Sequence, residues 1–549
     1  MGWERRARAA LALVLVLAIS TLTLSTSPAA AAPAAPPQLR ALWVDAFGEG
    51  LYDGDQIDTL VAQARAMNLN AIVAQVVRRG DCFCERSLAP RTEERIAPRP
   101  FDPLDRLIEK AHAQGIQVHA WIIATAAWRG NVPPADPRHV FNAHGPSATG
   151  VDNWMTRRSD GLDQVAGEGM REWVLDPGHP DAQDWIVRMA TSIVANYDVD
   201  GINLDRIRYP DGNIAANVPS WGYNPTAVAR FQAATGRTDR PAPQDAQWTQ
   251  WRRDQVTAIV RRVYLESYAL KPRVRVSADV ISYGAGPASQ GGWTKTRTYA
   301  EVLQDWRGWL SEGILDLAIP MDYKRDTATG GDQRRMYAEW SDFAKDNQFR
   351  RHTAIGSALY LNDVDASVRQ ILQALAPSAA GNVAAGWIGY SYRTPDAASD
   401  VGGTRSGKAS RADLTRALTQ PVADAPPVFA GTATVPDMPW KSRPSTGHAL
   451  GTLVDAAGAS LADRAVKLVD ADGTTVRMVT TDGRGQFGFV DLAPGRYRVT
   501  ADETSTGVTV TAGALATLTL GAADAAVIPA AADPNPAPSD YEFGSGLIP

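Results

Sequence analysis

Eight apolar segments, each followed by a helical pattern, are the feature that most constrains the fold of this chain. Each segment has the near-continuous apolar character of a parallel strand that is buried on both faces. The predicted strands lie at 40–47, 70–77, 117–125, 202–207, 274–280, 315–323, 352–361 and 382–392. Eight such units predict an α/β fold, a closed (β/α)8 TIM barrel over residues 39–420. An open doubly wound sheet is the alternative, but it gives no reason for eight units, and the sequence has no GxGxxG or Walker loop.

The N-terminus predicts export. Three arginines among the first eight residues precede an apolar run from Ala9 to Ile19, and small residues follow. This pattern is typical of a signal peptide over residues 1–31 that is cleaved after Ala31, and residues 32–38 form a short linker. The apolar run is short for a membrane span, although an uncleaved anchor is the alternative. We therefore expect a secreted protein, extracellular or associated with the cell envelope, with no membrane insertion after cleavage.

The C-terminal part of the chain changes character. Residues 421–446 are rich in Pro, Ala and Thr, which predicts a linker with few contacts. Short alternating strands with turn signals over residues 447–521 predict a small all-β sandwich, and residues 522–549 predict a flexible tail. Because the barrel closes its own core, a chain ending near Gln420 is expected to fold and to keep its activity.

Composition excludes several function classes. The formal net charge is −5 and no basic run follows the N-terminus, which argues against a nucleic-acid partner. Cys82 and Cys84 are too few for a disulfide framework or a four-ligand zinc site, and a local bridge and two free thiols both remain open. His119 and His179 do not form a ligand set. We predict no catalytic metal and no cofactor, and nothing in the sequence specifies an oligomeric state.

The segment from Asp198 to Pro210, DVDGINLDRIRYP, is the most informative motif. Its apolar residues Ile202, Leu204 and Ile207 indicate a buried strand that runs directly into Asp205, two arginines and a tyrosine. Charged groups are costly to bury for packing alone. Because substrates meet the carboxyl ends of strands in such barrels, we predict the active site here.

Several motifs together resemble a known family. The segments RALWVDAF, FDPLDRLIEKAHAQGIQVHAW, LDPGHP, DVDGINLDRIRYP and IPMDY, in this order, are similar to the glycosyl hydrolase-like family 10 of exported bacterial barrels. The resemblance covers residues 39–393 and implies a barrel that hydrolyses glycosidic bonds, with cell-wall glycan as a plausible substrate. In many members the position after Asp205 holds Asp or Tyr, whereas this chain has Arg206.

The C-terminal segment TTDGRGQFGFVDLAPGRYRVTA resembles the carboxypeptidase regulatory-like, transthyretin-like sandwich. This resemblance implies an accessory or spacer module without chemistry of its own.

Glycoside cleavage usually needs two carboxyls that flank the bond. We predict Asp205 as general acid/base and Asp322 as the second catalytic carboxylate, because both end predicted strands. Neighbouring arginines favour an ionised Asp205, so a nucleophilic or hydroxyl-binding role is the alternative, as is simple ordering of the loop. Asp322 has the alternative of pairing with Arg325 or a helix N-terminus.

Other residues at strand ends are candidates for substrate binding. Asp45 and Asp279 suit sugar hydroxyls or loop caps, and Arg78 and Arg79 suit an anionic or N-acetylated sugar or form a solvated cluster. Aromatic rings stack on the C–H faces of sugars, although packing in the barrel core accounts for some of them. The substrate-binding candidates are Asp45, Arg78, Trp121, Arg208, Tyr209, Asp279, Tyr323 and Trp387.

Two functional hypotheses follow from these observations. The first is a secreted glycoside hydrolase that acts on a bacterial polysaccharide or oligosaccharide. The second is a non-catalytic carbohydrate-binding or cell-surface protein on the same barrel, which is motivated by Arg206 and by the absence of Glu at the predicted strand ends. A metal-dependent hydrolase is a distant third because histidines do not cluster.

Overall fold

A computed structural model describes the protein over six ranges of residues. They are residues 36–130, 132–166, 171–211, 219–400, 402–421 and 426–521. The predicted signal peptide and the predicted tail at 522–549 lie outside the described residues, as does most of the predicted linker at 32–38.

Eight parallel strands close into a barrel, which confirms the predicted fold class. Strands are numbered along the chain, and the small strands β4 Ala126–Arg129, β5 Val165–Ala166 and β6 Arg171–Val174 form a separate sheet. The barrel strands are β1 Leu39–Val44, β2 Ala71–Val77, β3 Gln117–Ile123, β7 Gly201–Asp205, β8 Arg275–Ile281, β9 Leu317–Asp322, β10 His352–Ala358 and β11 Gly386–Tyr390. Around the barrel their order is β1-β11-β10-β9-β8-β7-β3-β2.

Helices cover the outside of the barrel, and several begin at an aspartate whose carboxylate accepts backbone N–H groups. Asp102, for example, accepts from Leu104 N at 3.1 Å and from Asp105 N at 3.2 Å, ahead of a proline in the first turn. The α-helices are α1 Gly54–Ala66, α2 Pro103–His112, α3 Val140–His144, α4 Pro180–Asn196, α5 Pro225–Thr235, α6 Ala246–Leu270, α7 Arg297–Ala300, α8 Trp306–Glu312, α9 Thr329–Asp346, α10 Val364–Leu375, α11 Gly407–Thr419 and α12 Pro439–Ser442. Short 3-10 turns lie at Gly150–Asp152, Trp293–Lys295, Leu359–Leu361 and Ala397–Ser399.

The helical segment between β8 and β9 is divided into two short helices, α7 and α8, instead of forming one helix. Leu303 has φ +57°, a left-handed conformation that a continuous helix cannot contain. The break turns the side chain of Gln304 into the protein, where it is fully buried and accepts from Ile281 N at 2.8 Å. This segment therefore supports the end of β8.

The C-terminal region is an all-β sandwich of two sheets, as predicted. One sheet has the order β15-β12-β18 and the other β14-β13-β16-β17. The strands are β12 Gly447–Leu453, β13 Ala465–Val469, β14 Thr475–Thr480, β15 Gln486–Leu492, β16 Gly495–Ala501, β17 Thr504–Val510 and β18 Leu515–Leu520.

The predicted linker makes extensive contacts with the barrel, so the expectation of few contacts is wrong. Residues 426–446, here called the strap, cross the mouth where the barrel strands begin. Backbone oxygens of the strap accept from Gln38 N (Thr434, 2.8 Å), Asn70 Nδ2 (Ala433, 2.9 Å) and Arg275 Nη2 (Pro436, 2.8 Å). Val435 packs against the apolar interior of the barrel. The strap is rich in proline and small residues, but it uses its backbone to satisfy barrel side chains.

The sandwich packs on α5 and α6 through buried ion pairs. Arg230 Nη2 lies 3.0 Å from Asp463 Oδ2, and Arg262 Nη1 lies 3.1 Å from Asp482 Oδ2. Gly488 approaches Leu265 so closely that an added Cβ would lie 2.1 Å from Leu265 Cδ1. The sandwich is thus attached directly to the barrel.

Two further observations concern the cysteines and the apolar character of the helices. Cys82 and Cys84 form a disulfide with a Cα–Cα distance of 5.0 Å, which resolves the open alternative for this pair. Across the described ranges, no helix has both the length and the apolar character needed to span a bilayer.

Candidate active site

The alternation of side chains along the barrel strands decides which residues reach the interior. Neighbouring residues in a strand point to opposite faces, so Asn203 and Asp205 on β7 face inward together. Register pairs Leu204 with Ala278, which brings Asp205 beside Asp279 on β8. Both carboxyls therefore lie at the carboxyl end of the barrel, inside the ring of strands.

Asp205 receives N–H groups on both of its oxygens. The backbone N–H of Arg206 donates to Oδ1 at 2.6 Å, and the indole N–H of Trp121 donates to Oδ2 at 3.2 Å. Arg208 Nη1 lies 3.8 Å from Oδ1. These donors suit an ionised carboxylate. Asp205 is 8% exposed and so reaches the surface of the barrel mouth.

Asp279 is the deeper carboxyl of the pair, at 1% exposed. Its Oδ2 accepts from Asn203 Nδ2 at 2.8 Å, and Asn203 is oriented in turn by Ser277 Oγ at 2.8 Å. Among the described residues, Oδ1 has no hydrogen-bond partner. Burial raises the pKa of Asp279 well above its usual range, and the negative charge of Asp205 raises it further. Of the two carboxyls, Asp279 is thus the one whose surroundings favour the protonated form.

Aromatic rings form the wall around the two carboxyls. Tyr323 stacks on Tyr390 with 5.5 Å between ring centroids, and Trp43 meets both tyrosines edge-on at 6.3 and 6.0 Å. Trp121 contacts Tyr390 at 6.3 Å, and Tyr360 contacts Tyr323 at 6.2 Å. Burial raises the pKa of Tyr323 well above its usual range, so its hydroxyl remains neutral and can donate a hydrogen bond.

A cavity of about 540 Å³ adjoins this wall on the side of β8 and β9. Arg208 and Tyr323 line both the cavity and the surroundings of the carboxyl pair. Ser282, Tyr283, Lys324 and Gln333 supply polar groups, and Ile281, Met321 and Met336 supply apolar surface. A mixed lining of this size fits a small polar ring such as a sugar unit.

The residue that departs from the family pattern has a structural role. Arg206 has φ +50°, and its guanidinium forms an ion pair with Glu172 on β6. Its carbonyl oxygen accepts from Thr125 Oγ1 at 2.8 Å. Arg206 therefore ties the end of β7 to the β4–β6 excursion, and its backbone N–H holds Asp205 in place.

Asp322 does not join the carboxyl pair. It neighbours Tyr323, which faces inward, so its own side chain points outward into the layer between β9 and α9. There Asp322 is fully buried, with Lys324 Nζ 3.2 Å from Oδ1. Burial raises the pKa of Asp322 to about 7 despite Lys324 and Lys345. We therefore replace Asp322 by Asp279 as the partner of Asp205.

The substrate-binding candidates divide in the same way. Asp45 faces inward and accepts from Ser391 Oγ at 3.1 Å. Trp121 and Arg208 lie beside Asp205, and Tyr323 lines the cavity. Three other candidates serve packing or support in the structure. Arg78 donates to Ala46 O at 3.1 Å and pairs with Glu94 at 2.6 Å. Tyr209 is buried and donates to Asp176 Oδ1 at 3.2 Å. Trp387 faces the helices and donates to Ser357 Oγ at 2.9 Å.

Sequence reasoning left two supporting residues, Asn203 and Gln304, out of the predicted site. Asn203 was detectable, because it is a polar residue in a buried strand with the same alternation as Asp205. Gln304 was not detectable, because its role depends on the break between α7 and α8.

The two histidines singled out by the sequence have structural environments. His119 lies inside the barrel, where burial and Arg275 lower its pKa to about 3. His179 caps α4 by accepting from Asp181 N at 3.2 Å. Within the six described ranges, no group of three His, Cys, Asp or Glu side chains is arranged so that it could hold a metal ion.

Comparison with known families agrees with this architecture. The glycosyl hydrolase-like 10 family matches residues 38–368, and the carboxypeptidase regulatory-like domain matches residues 450–523. Because the first match covers more than half of the chain, the protein belongs to the glycosyl hydrolase-like 10 family.

Two relatives are named glycosyl hydrolases. DigH of Escherichia coli strain K12 is 25% identical over 313 residues, which cover 56% of this chain and 65% of DigH. YngK of Bacillus subtilis strain 168 is 24% identical over 341 residues, which cover 59% of this chain and 61% of YngK. The matched region is therefore less than two thirds of either relative.

Solved structures with a similar course of the chain include two enzymes. The glycoside hydrolase domain of PgaB (BpsB) from Bordetella bronchiseptica has a TM-score of 0.48 at 16% identity, over 69% of this chain and 99% of that domain. The catalytic domain of β-amylase from Paenibacillus polymyxa has a TM-score of 0.46 at 12% identity, over 70% of this chain and all of that domain.

Proposed function

We propose that the protein is a glycoside hydrolase that cleaves O-glycosidic bonds in a bacterial polysaccharide. The observation that carries this proposal is the pair Asp205 and Asp279, adjacent on β7 and β8 at the carboxyl end of the barrel. Hydrolysis of a glycosidic bond needs one protonated and one ionised carboxyl on either side of the bond. The two environments favour different protonation states in these two residues.

The roles follow from those environments. Asp279 holds the proton and acts as the general acid that protonates the leaving oxygen. Asp205 acts as the nucleophile or base, and Trp121, Arg208 and the Arg206 N–H stabilise its negative charge. Asp205 and Asp279 lie on neighbouring strands, and we propose a retaining mechanism, in which the two carboxyls are about 5–5.5 Å apart.

The aromatic wall favours a carbohydrate as the substrate. The partly exposed rings of Tyr323 and Tyr390 lie beside the carboxyls, and aromatic rings stack on the C–H faces of sugars. The cavity lined by Arg208 and Ser282 provides polar groups for hydroxyls or acetamido groups. A cell-wall glycan meets these requirements.

We place this activity outside the cytoplasm. The N-terminal residues 1–31 have the pattern of a signal peptide, and the Cys82–Cys84 disulfide is typical of an oxidising compartment. The attached sandwich is proposed as an accessory module.

The test is release of reducing ends from purified peptidoglycan glycan strands and from a panel of neutral polysaccharides. The protein of residues 32–549 should release products that its Asp205→Asn variant does not release. NMR of the first product should show the retained anomer. Binding to a glycan with no product from any of them would favour the second hypothesis, a carbohydrate-binding protein.

A further inference from the structure

We propose that Arg79, with the ring of Phe47, forms a subsite for a carboxylate-bearing sugar unit at the rim of the barrel. This inference rests on the proposed function and adds a substrate class to it, an anionic glycan. The subsite lies in the loops after β1 and β2, outside the carboxyl pair.

Phe47 is a large apolar side chain at the barrel mouth that is 43% exposed. It lies two residues after Asp45, whose Oδ1 accepts from Phe47 N at 3.1 Å. Arg393 donates to Phe47 O at 3.0 Å and lies 3.6 Å from Asp45 Oδ1. The backbone of Phe47 is therefore held in place, and its side chain is partly exposed beside the site.

Two guanidinium groups contact this ring, but they differ in their hydrogen bonding. Arg78 and Arg79 lie 5.2 and 5.0 Å from the Phe47 ring centroid. The guanidinium of Arg78 is occupied by Ala46 O and by Glu94. For Arg79, by contrast, no acceptor for the guanidinium is found among the residues that the structure describes. Its backbone N–H donates to Asp81 Oδ1 at 3.3 Å.

The surroundings of Arg79 leave its positive charge available. Burial lowers the pKa of Arg79 to about 10, and the positive charge of Arg78 contributes. Of the nearby carboxylates, Glu172 already pairs with Arg206, and Asp81 accepts from Thr92 Oγ1 at 2.5 Å. A guanidinium in this position gains most from a bidentate carboxylate ligand.

The position in the barrel indicates how a chain of sugars would use this subsite. Phe47 follows β1, and the 540 Å³ cavity lies beside the ends of β8 and β9. In the ring of eight strands, β1 and β8 are four strands apart, on opposite sides of the mouth. A polymer that fills both places passes over Asp205 and Asp279. The arrangement therefore fits an internal section of an anionic glycan, with an aromatic ring and a cation at one end.

The test compares binding of charged and neutral glycans by calorimetry. Full-length Asp205→Asn protein is used so that the glycan is not consumed. The probes are peptide-free peptidoglycan strands, whose muramic acid units carry carboxylates, the same strands after reduction of those carboxylates to alcohols, and a uronic-acid oligosaccharide. Arg79→Gln is compared with Arg188→Gln, which removes an exposed arginine of α4 far from the mouth.

We expect tighter binding of a carboxylate probe than of the reduced strands, by about tenfold, the size expected for a charged hydrogen bond. Arg79→Gln should abolish this difference, and Arg188→Gln should keep it. A response to peptidoglycan strands alone or to the uronic acid alone identifies the source of the carboxylate and supports the subsite in either case. Equal binding of charged and reduced probes, or a difference that survives Arg79→Gln, would overturn it.

The proposed function can fail separately. If the unmutated protein releases no product from any probe while Arg79 still discriminates charge, the subsite stands and hydrolysis does not.

Discussion

The two mouths of the barrel both bury charged groups, but they satisfy them differently. At the mouth where strands begin, Asp316 accepts from Lys441 Nζ at 2.5 Å, Trp440 Nε1 at 2.6 Å and Val276 N at 2.8 Å. Burial acts to raise the pKa of Asp316, yet the charges of Lys441 and Arg351 hold it below its usual range. At the opposite mouth, Asp279 Oδ1 and Arg208 Nη1 are buried without a hydrogen-bond partner among the described residues.

We interpret the first mouth as a part of the barrel that stabilises the fold, and the second as the place where a substrate can bind. A buried polar group with every hydrogen bond made stabilises the fold, whereas one left unsatisfied costs free energy that selection retains only for a reason. The strap covers the first mouth and supplies both side-chain donors of Asp316. At the second mouth, a substrate can supply the missing partners.

The largest expected effect is on catalysis at the open mouth. Asp205→Asn removes the charge but keeps the shape, so kcat should fall by about 10²–10⁴-fold or more. Asp279→Asn should have a similar effect, and the double variant should be little worse than either single variant, because both act in one step. Steady-state kinetics measure the effect, and thermal unfolding should show a folded protein in each case.

An active Asp205→Asn protein would contradict the mechanism and would direct the search to Asp45.

At the covered mouth, the position of the chain end should decide folding. A chain that ends at residue 420 lacks the strap and deprives Asp316 of its two side-chain donors. We now expect this shortened protein to be largely unfolded or aggregated, contrary to the prediction from sequence. A chain that ends at residue 446 keeps the strap and serves as the matched control. Circular dichroism and gel filtration of the two would show whether the strap or the sandwich is the required part.

A single substitution should reproduce part of that loss. Lys441→Met keeps the length of the side chain but leaves Asp316 without its cation, and breaking a buried pair in this way costs about 3–5 kcal/mol. Urea unfolding measures the change in free energy of unfolding. The folded fraction should keep its full kcat, because the strap is at the opposite end of the barrel. A loss of kcat without loss of stability would show that the two mouths are coupled.

Much of the barrel was predictable from sequence, because eight apolar segments with helices between them have few other solutions. Asp205 was also recognisable, because a buried strand that ends in a carboxylate and two arginines is unusual. The strap was not predictable: its role depends on backbone oxygens and on one lysine, and composition alone indicates a flexible segment.

The sequence was sufficient to choose between Asp279 and Asp322 as the carboxyl partner of Asp205. Asp322 and Tyr323 are adjacent in the predicted strand 315–323, so only one of them can face the barrel interior. Predicting both as site residues broke that rule. The raised pKa of Asp279, by contrast, depends on its burial and on the approach of Asp205 from the neighbouring strand, which the sequence does not give.

The smallest expected effect concerns Asp322, the buried carboxyl on the outer face of β9. Its pKa is raised to about 7 in the folded protein, whereas an unfolded aspartate titrates near 3.9. Between these values the folded state binds the extra proton, so the free energy of unfolding should fall as pH rises from about 4 to 7 and stay low above that. The full shift corresponds to at most about 4 kcal/mol. Asp322→Asn should remove this pH dependence, raise the stability at pH 8 and leave kcat unchanged, which urea unfolding at pH 5 and 8 and a parallel activity assay measure. A large loss of kcat in stable Asp322→Asn protein would instead return this residue to the catalytic pair and weaken the case for Asp279.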